Sequence, residues 1–152
     1  MPSTAKFTIF AKNFEAMKKL MFFFSAILLM AMTSCENPAK SRVYVEEGEK
    51  LLLRYSKYDE AEEVLTKAIK YDKGNYEAYY YRGCARINAK KYDGAIEDLE
   101  KAVELKPDYA DAYFNLGRTY YIMDNEDKAC ENYKLAAQYG RPNLEDYLKR
   151  CP

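Results

Sequence analysis

Apolar residues recur along this chain at helical spacing. Between residues 58 and 72, Ala61, Val64, Leu65, Ala68 and Ile69 fall three and four positions apart, which puts them on one face of a helix. The same rhythm, broken by polar turns, predicts helices over 42–55, 75–88, 92–105, 109–123 and 126–138, and a short one over 143–150. Lys106-Pro107-Asp108 stops the fourth of these, because proline cannot continue a helix and turns the residue before it away from helical geometry. Gly140 is expected to close the sixth in the left-handed conformation, and Asn143 to cap the last. Residues 20–32 differ: they are almost wholly apolar, with no helical face.

The rhythm repeats. Setting residues 76–109 over the stretch from Ala110 onward at a spacing of 34 aligns Tyr79 with Tyr113, Gly83 with Gly117, Ala95 with Ala129, Leu99 with Tyr133 and Ala102 with Ala136. That period, with those residue types, is the signature of a helix–turn–helix solenoid. A mid-helix glycine costs about 1 kcal/mol against alanine, so Gly83 and Gly117 imply close approach of a partner helix. The unit resembles the tetratricopeptide repeat (TPR) family through Tyr79, Gly83, Ala95, Leu99, Ala102 and Pro107. Arg82 and Arg86 depart from it, standing where the family has an aliphatic and an aromatic residue. An all-α TPR solenoid is therefore expected, with repeats at about 41–75, 76–109 and 110–142 and a capping helix at 143–151. The first repeat is degenerate, with one extra residue expected in the turn near Ser56. Three repeats and a cap are about the minimum for a stable array.

The N-terminus reads as a targeting segment. Met17-Lys18-Lys19, the apolar run 20–32 and Thr33-Ser34-Cys35 follow the order of a secretory signal peptide. The run is shorter than the roughly 20 residues that span a bilayer. Met32-Thr33-Ser34-Cys35 resembles a bacterial lipobox, which implies a signal peptide over 17–34 and a diacylated Cys35; an uncleaved anchor helix is the other reading. Residues 1–16 do not fit the signal and are expected to be a mis-called start. Residues 35–41 would form an irregular lipidated tether ahead of a TPR domain at 42–152. Glu36 is not the aspartate that holds such lipoproteins at the inner membrane, so the resemblance implies the outer membrane, facing the periplasm.

Composition narrows the chemistry. The 152 residues include 16 tyrosines but no histidine and no tryptophan. From Cys35 onward there are 20 basic and 23 acidic residues, a net charge near −3, which is no field for gripping nucleic acid. Without histidine, nucleophile–base sets lack their usual base. The carboxylates Glu62, Glu63, Glu97 and Asp98 are expected on solvated helix faces. No glycine loop could cradle a phosphate, and Cys84, Cys130 and Cys151 lack metal-ligand spacing. The expectation is a chain without catalysis, cofactor or metal.

Binding is what remains. Tyr79, Tyr113, Tyr120 and Tyr133 fall on packing positions. The first helices of a TPR array line its concave groove, and the resemblance places Tyr80, Ile87, Phe114, Arg118 and Tyr121 there. That surface suits an extended or helical peptide of a protein partner. Asn115 matches one position of the TPR groups that clamp a C-terminal carboxylate, but Val45 and Glu49 occupy others, which argues against that subclass. A structural accessory using convex or end surfaces is the alternative. In an oxidising compartment Cys130 and Cys151 are expected to pair, because the start of the last long helix should face the end of the capping helix. Cys84 should stay free.

Overall fold

The computed structural model describes residues 36–151. The segment expected to be a signal peptide, the start expected at Met17 and Cys35, the expected lipidation site, lie outside them. The described residues form seven helices: α1 (Pro38–Tyr55), α2 (Tyr58–Tyr71), α3 (Tyr76–Asn88), α4 (Tyr92–Leu105), α5 (Ala110–Ile122), α6 (Glu126–Gln138) and α7 (Glu145–Leu148). None is long and apolar enough to cross a membrane.

Local chemistry sets the helix ends. The Asn37, Asn75 and Asn125 side chains accept backbone N–H bonds in the first turns of α1, α3 and α6. The cap at Asn37, with Pro38 at the first helical position, starts α1 inside the segment expected to be an irregular tether. Turns within each repeat close through a left-handed residue: Ser56, Lys90 and Asp124. Lys91 and Asn125 donate back to Arg86 and Tyr120, five residues earlier, whereas Lys57 reaches six back to Leu51. The extra residue of the first repeat thus lies between Leu51 and Lys57, in a widened closing turn at the end of α1, as the sequence implies. Gly140 is left-handed, with φ 86°. So is Asn143, which therefore does not cap α7; Leu144 holds that position without a side-chain bond, and α7 is a single turn.

Each repeat is a packed helix pair. A β-carbon on Gly83 would sit 2.9 Å from Leu99 Cγ and 3.3 Å from the Ala95 carbonyl oxygen. Gly48 meets Leu65 in the same way. Tyr120 and Tyr133 are buried, while Tyr79 and Tyr113 are half-buried at the edge of the core. α1 packs on α3 and α3 on α5, whereas the even-numbered helices do not meet one another. The odd-numbered helices therefore lie on the inner side of the curve.

Between the first two repeats an ionic network flanks an apolar cluster that joins α1 and α2 to Ala78 and Ala85 of α3. Asp98 is 3% exposed, not on the solvated face expected for it. Arg82 grips it in a fork, Nε to Oδ2 at 2.9 Å and Nη2 to Oδ1 at 2.6 Å. Arg86 Nη1 lies 3.1 Å from the same carboxylate and donates to the Gly94 carbonyl, while its Nε donates to Glu62 on α2 at 2.8 Å. Lys91 adds bonds to Glu62 and Asp59. Burial alone would push the Glu62 carboxyl up, but the Lys91 and Arg86 bonds outweigh it and hold it below the usual glutamate range. The two arginines that break the TPR pattern add a polar tie among α2, α3 and α4 to their apolar packing.

Candidate peptide-binding groove

The inner face carries a groove of about 450 Å³. Leu52 and Leu53 of α1 and Tyr58 form one end, Asp111, Asn115 and Arg118 of α5 the other, and Tyr80, Tyr81, Cys84, Ile87 and Asn88 of α3 the floor. Tyr109, from the turn before α5, closes one side. Helical spacing explains the set: Tyr80, Cys84 and Ile87 are four and three apart, so α3 shows them in one row.

The floor is preset by a network of rings and bonds. Tyr80 lies 5.2 Å from Tyr81 and 4.8 Å from Tyr109, centroid to centroid. Its hydroxyl accepts a bond from Asn115 Nδ2 at 3.2 Å. The Tyr81 hydroxyl donates to Glu49 at 2.7 Å. Burial is the main reason that the Tyr80, Tyr81 and Tyr109 hydroxyls are all pushed up, so they stay neutral donors and acceptors. Burial likewise pushes the Cys84 thiol up to about 11, which leaves it protonated and poor as a nucleophile. Arg118 is exposed beside this floor; its one hydrogen bond among the described residues, to Asn115 Oδ1, is long at 3.5 Å. The groove thus offers apolar ring surface, neutral hydroxyls and one reachable cation. The carboxylate of Asp111, at the α5 end, is paired with Arg141. Among the described residues no cluster of three or more cysteines and carboxylates could hold a metal ion.

Three of the five residues expected on the concave face, Tyr80, Ile87 and Arg118, line this groove. Phe114 does not. It is 9% exposed, beneath the Arg141 guanidinium at 3.9 Å and the Tyr147 ring at 5.2 Å. Residues C-terminal to α6 have folded over its place in the row. Tyr121 is exposed, but it borders a separate 210 Å³ cavity with Ala129, Cys130, Tyr133, Tyr147 and Arg150. The bridge between Cys130 and Cys151 lies there, with Cα atoms 5.4 Å apart, and Cys84 is a free thiol. Sequence reasoning passed over Tyr81, Tyr109 and Leu53. Leu53 could have been found as the exposed neighbour of the groove residue Leu52; Tyr109 lies in a turn, where helical spacing says nothing.

Residues 83–124 match the family model described as TPR repeat, and residues 110–139 the one described as Tetratricopeptide repeat. No curated protein matches the chain. Among solved structures, the first TPR domain of Spaghetti (RPAP3), bound to the HSP90 peptide SRMEEVD, is 27% identical, with 76% of this chain and 92% of that one covered and a TM-score of 0.72. MamA is 30% identical over 73% of this chain and 64% of its own, with a TM-score of 0.67. YrrB, a TPR protein with an unusual peptide-binding site, shares the fold at 24% identity, 69% and 54% coverage and a TM-score of 0.64. The array of helix pairs is a TPR solenoid.

Proposed function

We infer that this chain is a non-catalytic binding module that holds an extended or helical peptide segment of a protein partner in the groove of α1, α3 and α5. The observation that carries the reading is the preset aromatic floor beside the reachable Arg118. Hydrophobic rings and one cation are the residue types that dominate binding hot spots. The RPAP3 domain, similar over most of its length, was solved with a peptide bound, which supports the same use of the fold here. Once a partner peptide is in hand, the double variant Tyr80→Ala, Arg118→Ala should weaken its binding at least about 30-fold, the equivalent of about 2 kcal/mol. Titration calorimetry reads this, with circular dichroism to show the variant folded. Undiminished binding by a folded double variant would move the interface off this face.

The site of action follows from the N-terminal motif. The module is a lipoprotein of the bacterial cell envelope, anchored through acyl chains on Cys35 and facing the periplasm from the outer membrane. Two chains give stable attachment where one is marginal. In cell fractionation, Cys35→Ala should remain unprocessed and lose its outer-membrane position. Unchanged processing and sorting would make Cys35 incidental. A second reading, an accessory of an envelope complex acting through its ends, draws support from one observation: the chain's own C-terminal residues cover part of the concave face.

A further inference from the structure

The groove stops at Phe114 because residues 141–151 lie over it. In the row of first-helix positions Phe114 follows Tyr80 at the 34-residue spacing, so without this cover the aromatic floor would continue into the third repeat. The cover is lightly built. Its only helix is α7, a single turn with no side-chain cap, too short to persist unaided. Leu144 is its one fully buried apolar residue. Tyr147 rests on the Phe114 and Tyr133 rings, Arg141 on the Phe114 ring, and Leu148 and Cys151 pack half-buried at the core's edge. Its polar ties are Arg141 to Asp111 and Arg150 to the Tyr121 hydroxyl at 3.3 Å. The seam between the cover and α5–α6 is not filled, since the 210 Å³ cavity runs along it from Tyr121 to Cys130. What fixes the free end is the Cys130–Cys151 bond.

We propose that residues 141–151 are a redox-released strap: the disulfide holds them over Phe114, and reduction by a dithiol frees them, lengthening the groove by Phe114 and Tyr133. The proposal rests on the concave face being the binding face. The exchange balances. One thiolate of the dithiol attacks Sγ of Cys151, the more exposed of the pair, and the Cys130 sulfur leaves and takes a proton from water. The second thiol of the reductant, giving up its proton, then displaces Cys151. Two electrons pass to this chain, which ends with two thiols, and the reductant ends as a disulfide. Untying a loop whose ends are 21 residues apart removes the constraint on the strap's opening.

Amide exchange by mass spectrometry on the full-length protein, oxidised and then reduced with dithiothreitol, tests this. Exchange over 144–151 should speed up about 100-fold on reduction, the scale of the loop-closure constraint. Radical footprinting of Phe114 and Tyr133 should rise several-fold, while protection of α1–α4 stays unchanged. Cys151→Ser should behave this way without reductant. Unchanged exchange over 144–151 in fully reduced protein overturns the proposal, because packing alone would then hold the strap. Loss of protection spreading through α5 and α6 also overturns it, because the bond would then be a staple of the fold. Neither readout needs a peptide ligand, so a failure here is separate from a failure of groove binding.

Discussion

Asp98→Ala should destabilise the protein by about 3 kcal/mol, the scale for removing one partner of a buried ion pair. The loss is large because the carboxylate serves two cations. Arg82 and Arg86, with side chains 15% and 20% exposed, would keep their charges half-buried with the shared acceptor gone. Glu97→Ala, one position away and exposed, should stay within about 0.5 kcal/mol. Urea unfolding followed by circular dichroism reads both as shifts in midpoint. A triple change, Asp98→Leu with Arg82→Met and Arg86→Met, should recover most of the loss, since apolar groups of similar volume can replace a buried ionic set. Equal effects of Asp98→Ala and Glu97→Ala would mean that the seam does not depend on this network.

The second large effect is expected at Gly117. Helix propensity alone says that Gly117→Ala should stabilise α5 by about 1 kcal/mol. The packing says the reverse. The added carbon would lie 2.6 Å from Cδ1 and Cε1 of Tyr133 and 3.1 Å from the Ala129 carbonyl oxygen. Those are mid-ring atoms of a buried side chain wedged between Phe114 and Tyr147, so the ring has nowhere to swing. Relief must come from parting α5 and α6, at a net cost of about 2 kcal/mol. Combining Gly117→Ala with Tyr133→Ala should cost less than the two singly, because the second change removes the clash. A stabilised Gly117→Ala protein would show that the helices do not need to approach so closely.

The solenoid was legible because its signal is repeated. Small residues at 83, 95 and 102 recur at 117, 129 and 136, and each copy states the same helix pair. Asp98 was misread because charge was weighed before position. It lies three residues after Ala95 and four before Ala102, on the face those alanines bury, and Arg82 and Arg86 supply its partners from one face of α3. The early start of α1 was also written in the chain, as an asparagine cap ahead of a proline. The floor of the groove was partly legible: the TPR resemblance, which turns the first helices inward, places Tyr80, Ile87 and Arg118 there, whereas Tyr109 depends on how a turn folds back. A C-terminal cap and its tie from Cys151 to Cys130 were legible, but the cap's place over Phe114 was not. It depends on the path of residues 141–151 after a left-handed Asn143, and no periodicity encodes that path.

Site-specific photocrosslinking in cells tests the central claim most directly. A photoreactive amino acid at Leu53 or Asn88, both exposed and lining the groove, is compared with one at Glu97 or Glu104, exposed on α4 behind it. Groove binding predicts a discrete partner adduct from Leu53 and Asn88, lost in the Tyr80→Ala, Arg118→Ala background, and none from α4. Adducts that form from Glu97 and Glu104 while Leu53 and Asn88 stay silent would contradict it.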